Sequence, residues 1–171
     1  ATVDDGSCLF NDCLGECDGS AVEDECGVCD DEPANDCIDY SLELHAGNNL
    51  ISFNAIPTDN SVVNVLSSLG DNALIIIGEG MAAIHIENDW IGSLTSILHE
   101  DGYWLLVNET DTLNLIGVPI QPDQIYALHE GYNLISYPFL ECGFIEEVLP
   151  DDIEGCIAAI LGEGIAATPN E

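Results

Sequence analysis

Leu44-His45-Ala46-Gly47-Asn48-Asn49-Leu50-Ile51-Ser52-Phe53 recurs 84 residues further on as Leu128-His129-Glu130-Gly131-Tyr132-Asn133-Leu134-Ile135-Ser136-Tyr137. The chain is therefore built on a tandem repeat, and the reading of this stretch sets its fold class. Tyr40, Leu42 and Leu44 alternate with Ser41, Glu43 and His45, the period of a half-buried strand. Gly47-Asn48 supplies a turn and Leu50–Phe53 a second strand, so a hairpin is expected here and again over 124–137.

Working outward, Pro57-Thr58-Asp59-Asn60-Ser61 offers N-caps ahead of Val62, Val65, Leu66 and Leu69, which share one helical face and stop at Gly70. In the second copy Ile145, Val148 and Leu149 repeat that face more briefly before Pro150. Ala73–Ile77 and Ile157–Leu161 read as buried strands, each followed by Gly-Glu-Gly-x-Ala-Ala. Glycines so placed predict a bulge or a sharp reversal, with Glu79 and Glu163 read as turn carboxylates against the alternative of metal ligands at that bend. Beyond Trp90-Ile91-Gly92-Ser93-Leu94, the first copy adds two strands at Gly102–Val107 and Thr112–Gly117. The second copy stops at Pro169-Asn170-Glu171, where its counterpart of Trp90 is due, and is expected to be incomplete. A mainly β protein follows: residues 1–39 a cysteine-rich acidic segment, 40–123 a first repeat module and 124–171 a second, truncated one.

The charge balance is extreme, with 33 acidic residues, no Lys or Arg, and a net charge of −33. Nucleic-acid binding rests on basic side chains displacing counterions, so it is excluded; attraction to anionic membranes falls on the same ground. Without basic partners each carboxylate must be solvated, hydrogen-bonded to backbone donors or bound to a cation. Ca²⁺ is the expected cation, against the alternative of a solvated acidic surface suited to a salty medium. No signal peptide begins at Ala1 and no apolar run of about 18 residues occurs, so no membrane insertion is expected.

Six of the eight cysteines, Cys8, Cys13, Cys17, Cys26, Cys29 and Cys37, fall within residues 1–39. Few apolar residues accompany them, so disulfides are expected to replace a core, which points to an oxidising compartment. Sequence does not choose among the pairings. A zinc site from Cys13, Cys17, Cys26 and Cys29 is the rival reading. Haem attachment is disfavoured because Cys26-Gly27-Val28-Cys29 is followed by Asp30 rather than His.

Ala1-Thr2-Val3-Asp4-Asp5-Gly6-Ser7-Cys8 and the run from Asp12 to Asp30 resemble the thrombospondin type 3-like Cys/Asp repeats of large secreted bacterial proteins. That resemblance implies loops that wrap Ca²⁺, with Asp4, Asp5, Asp12, Asp18, Asp24, Asp30 and Asp31 as the carried-over ligands. The chain departs from the pattern in having no D-x-D-x-D-G run, and Ala1 enters the motif part-way through. The later pattern G-x-N-L-I-S-F, helix, W-x-G-S-L and G-Y-W is similar to repeat modules of secreted bacterial and archaeal surface proteins. It implies tandem β-sandwich-like extracellular modules without a transferable activity.

Cys142 and Cys156 flank the second helix and are expected to form a disulfide private to the second copy. Asn108-Glu109-Thr110 is a glycosylation sequon. His45 and His129 are repeat-equivalent and read as structural, with His85 and His99 elsewhere in the first copy. No nucleophile–base constellation has local support, so no enzyme is expected. Trp90, Tyr103 and Trp104 are candidates for a glycan platform, although alternation puts Tyr103 and Trp104 on opposite sheet faces. The leading expectation is an extracellular or cell-surface structural or adhesive module that self-associates, or meets neighbouring modules, through an open sheet edge. The alternative is a carbohydrate-binding module.

Overall fold

The computed structural model describes residues 10–24, 26–32, 36–121, 123–137, 139, 143–150 and 153–168. Near the N-terminus β1 (Val22–Glu23) and β2 (Cys29–Asp30) pair antiparallel. Only Ala21 and Cys37 are buried among the described apolar residues of this segment, so covalent bonds do the work of a core. Cys13 is joined to Cys29 and Cys26 to Cys37, with Cα separations of 5.8 and 5.6 Å. Cys17 is disulfide-bonded as well.

The first repeat contains β3 (Ile38–Leu44), β4 (Gly47–Ser52), β5 (Ala55–Ile56), α1 (Val62–Val65), β6 (Ala73–Gly78), β7 (Met81–Ile86), β8 (Asp89–Gly92), β9 (Gly102–Val107) and β10 (Asp111–Pro119). The second contributes α2 (Ile145–Val148), β11 (Ile160–Gly162) and β12 (Ile165–Ala167). Strands of the first repeat form a three-stranded sheet, β3-β10-β5, and a five-stranded sheet, β4-β9-β6-β7-β8. The mainly β expectation holds.

The expected hairpin at Tyr40–Phe53 does not form. β3 pairs with β10, from Leu44 opposite Asp111 to Ile38 opposite Gly117, whereas β4 pairs with β9. His45-Ala46 is instead a corner that carries the chain from one sheet to the other. Asn49 explains the corner. Its Oδ1 accepts from the His45 N–H, and its Nδ2 donates to the carbonyls of His45 and Gly47. A side chain thus takes the backbone groups that would have made the first hairpin rung. Gly47 sits at φ +104°, a conformation that excludes most L-residues. Gly131 repeats it at +106°, and Asn133 repeats the bonds of Asn49 to His129 and Gly131.

Between the two sheets lies one core, in which Leu44, Phe53, Val65, Ile76, Tyr103, Leu105 and Leu113 are fully or almost fully buried. Phe53 meets Tyr103 edge-on at 5.8 Å. Val62, Val65, Leu66 and Leu69 all enter this core as the periodicity predicts. The α-helix is only one turn long, though, and tightens into a 3-10 segment over Ser67–Asn72. Ser61 caps it, accepting from the Asn64 N–H at 3.3 Å. The Gly-Glu-Gly stretch is a sharp reversal, joining β6 to β7 in the first copy and β11 to β12 in the second.

Asn49→Ala is expected to lower stability to urea by about 1–3 kcal/mol, because it strips several hydrogen bonds from a buried corner. The repeat-equivalent Asn133→Ala, nearer the surface, is expected to cost about 1 kcal/mol or less. Equal effects in the two variants would contradict this account of the corner.

Candidate interaction surfaces

Alternation along β9 buries Tyr103, Leu105 and Val107 and turns Trp104 and Leu106 to the opposite face of the five-stranded sheet. The register aligns Leu50, Trp104 and Ile77 in one row across β4, β9 and β6. A second row carries Leu106, Ile75, Ile84 and Ile91. Ile77, Ile84, Ile86, Ile91 and Trp104 are all solvent-exposed, a continuous apolar face of the kind that marks an interaction site.

This geometry separates the three aromatic residues named as a glycan platform. Tyr103 is wholly buried; its hydroxyl accepts from the Leu98 N–H and donates to Asp101, and burial pushes its ionisation well above the ordinary range. Trp90 lies on the core side, stacked on His85 with ring centroids 5.0 Å apart. Trp104 alone stands on the open face.

The second copy presents the positions that the first copy buries. Leu44, Ile51 and Phe53 are 2%, 7% and 0% exposed, whereas Leu128, Ile135 and Tyr137 are 45%, 47% and 37% exposed. β11-β12 stands as a separate two-stranded sheet. α2 has no side-chain cap, since Phe144 occupies the cap position.

A short extended stretch nevertheless docks on the first copy. Gly102 N–H donates to the Leu134 carbonyl at 2.9 Å and Ser136 N–H to the Glu100 carbonyl at 3.0 Å. Gly102 permits this approach, because a Cβ there would stand 2.7 Å from the Ile135 carbonyl oxygen.

Two carboxylates complete the junction. Glu163, at the tip of the β11–β12 hairpin, lies with Oε1 2.5 Å from His45 Nε2 and accepts from the Leu50 N–H through Oε2 at 2.9 Å. Glu79, at the tip of the β6–β7 hairpin, meets His129 Nε2 and the Leu134 N–H in the same way. The other two histidines are placed apart: His85 contacts the Ala73 carbonyl and His99 the Val118 carbonyl. The recurrence of both His and Glu at one repeat offset is the sequence signal for this pairing.

At the N-terminus, Asp12 and Asp24 occupy matching turns. Asp12 Oδ1 accepts from the Glu16 N–H and Asp24 Oδ1 from the Val28 N–H, each four residues on. Asp24 also accepts from Cys26 and Cys37, and the Val28 contact above all holds its carboxyl below the usual value. Asp30 caps the Glu32 N–H. Asp18 sits in a turn at φ +53°, and Asp31 is exposed beyond β2.

Asp4, Asp5 and Cys8 lie outside the described residues. Among the described ones no three carboxylates bring ligand oxygens together; the one cluster of potential ligands is Asp24, Cys26 and Cys37. Two of its members are a disulfide, so it offers no thiolate. Asp12, Asp24 and Asp30 each serve their own turn. The zinc alternative fails, because Cys13, Cys17, Cys26 and Cys29 are all in disulfides.

Cys156 corrects another expectation. It ends a 3-10 turn as an exposed free thiol rather than a bridge to Cys142, which lies outside the described residues. The turn is closed by the Cys156 N–H donating to the Ile153 carbonyl, which leaves the side chain at the surface. Asn108 of the sequon is exposed in the β9–β10 turn. Among the described residues no helix is long and apolar enough to cross a membrane. Comparison with protein-family models, curated proteins and solved structures finds no match.

Reduction is expected to abolish amide protection over residues 10–32, each bridge being worth about 2–4 kcal/mol, while β9 retains its protection. Cys156 should react with a thiol reagent in the native, unreduced protein, as read by peptide mapping. Protection of 10–32 surviving reduction would contradict the assignment of covalent bonds as their main support.

Proposed function

We propose that this chain is an extracellular structural or adhesive module of a surface protein, stalk or filament, and that it assembles through the uncovered edge of its second copy. The observation that carries the reading is the exposure of Leu128, Ile135 and Tyr137 where the first copy buries Leu44, Ile51 and Phe53. Apolar side chains left in solvent along an extended stretch offer a surface on which another strand can be laid. The open face around Trp104 and Ile77 adds a second apolar surface of use in assembly. Disulfides are consistent with a location outside the cell.

In this reading Ca²⁺ acts as counterion to a chain with 33 acidic side chains and no Lys or Arg. The thrombospondin type 3-like resemblance of the N-terminal segment supports the same ion, and Asn108 is available for a glycan.

Light scattering of residues 1–171 is expected to show concentration-dependent association, reduced by Leu161→Asp on exposed β11 without loss of thermal stability. A monodisperse, fully folded monomer at all concentrations overturns the assembly reading. Calorimetry is expected to show a higher melting temperature in Ca²⁺ than in chelator; identical traces remove the ion from the proposal. Glycan-array binding lost in Trp104→Ala would favour the carbohydrate-binding alternative instead.

A further inference from the structure

The two histidine turns have the same construction and the same occupant. In each, the side chain of Asn49 or Asn133 locks the corner, and His Nδ1 lies 2.9 Å from the carbonyl of the next residue, Ala46 or Glu130. That contact aims Nε2 outward beside the N–H of Leu50 or Leu134. Into the space between these two groups comes one carboxylate, each oxygen on one of them, supplied by the other copy.

We propose that the H-x-G-x-N-L turn is a carboxylate receptor whose ligand is the glutamate at a G-E-G hairpin tip. The two copies are docked by reciprocal exchange of Glu79 and Glu163, and docking is released when the histidines lose their protons. The inference concerns contacts within one chain and stands apart from the assembly proposed above.

The protonation requirement follows from the donor count. A neutral imidazole has one N–H and one lone pair. Each ring here faces an oxygen at both nitrogens, a carbonyl at Nδ1 and a carboxylate at Nε2. Either neutral tautomer therefore sets a lone pair against an oxygen, and only imidazolium donates on both sides. Since the chain has no Lys or Arg, its four histidines are the only side chains able to carry positive charge.

Among the described residues the ionisable group acting on His45 is Glu163, and on His129 it is Glu79. Glu79 in turn faces Asp101, which also feels Glu100, so the second junction carries the denser negative charge. The Ala46 carbonyl and Glu163 push His45 upward, as the Glu130 carbonyl and Glu79 push His129. Glu79 is held down by His129 and the Leu134 N–H, and Glu163 by the Leu50 N–H and His45.

The histidine contribution is complete below the ordinary value of 6.5 and is lost as pH rises through the raised one. The glutamate contribution is complete above the ordinary value of 4.5 and is lost as pH falls through the lowered one. Docking is thus firmest between those two pH values and loosens toward alkaline pH.

NMR titration of the full chain over about pH 4 to 9 tests this. His45 and His129 are expected to titrate above 6.5; Glu163→Gln should reduce the shift of His45 alone and Glu79→Gln that of His129 alone, the part due to the Ala46 and Glu130 carbonyls remaining. Amide protection of Gly102 and Ser136 should fall above the histidine titration, and in the double variant at every pH. Spectra of β9 core amides check that the variants remain folded. Histidines titrating at the ordinary value, or junction protection indifferent to both pH and the double variant, would overturn the proposal.

Discussion

A chain with 33 carboxylates and no Lys or Arg must satisfy its anions without ordinary salt bridges. The described structure uses backbone N–H groups and, at two places, imidazole. Asp12, Asp24 and Asp30 each take amides of their own turn. Asp111 takes the Asn72 side chain and the Thr112 N–H, and these contacts hold its carboxyl below the usual value. Such bonds to charged acceptors are stronger than neutral ones. They also require donors that point outward from strand ends and corners. These bonded carboxylates therefore sit where the chain changes direction, and the turns that hold them carry part of the architecture.

Corners govern the fold for the same reason. Asn49 satisfies the backbone around Gly47 and sends β3 and β4 into different sheets, whose inner faces then close on Phe53, Tyr103 and Leu105. The first copy completes this closure with β9 between β4 and β6 in one sheet and β10 between β3 and β5 in the other. In the second copy the same apolar pattern, at Leu128, Ile135 and Tyr137, stays in solvent.

Period and turn chemistry made much of this legible in the sequence. The repeat, the strands at Gly102–Val107 and Thr112–Gly117, the cap at Ser61, the Gly-Glu-Gly reversal and the opposed faces of Tyr103 and Trp104 all depend on neighbours close in sequence. The failed hairpin shows the limit. Alternation identifies a strand but not its partner, and β3 finds β10 across some seventy residues of intervening chain. The histidine–glutamate contacts span sequence separations of 118 and 50 residues, so no local pattern could display them. Disulfide pairing was equally hidden, since spacing alone does not say which thiols meet.

The two junction contacts differ in sequence separation yet are the same contact, with each copy acting once as giver and once as receiver. A contact of that kind is isologous: it closes on itself about a twofold relation and is exhausted by two members. A third module would find neither a vacant turn nor an unengaged glutamate on this pair. The pair of copies, rather than the single repeat, is thus the smallest unit in which both turns are filled.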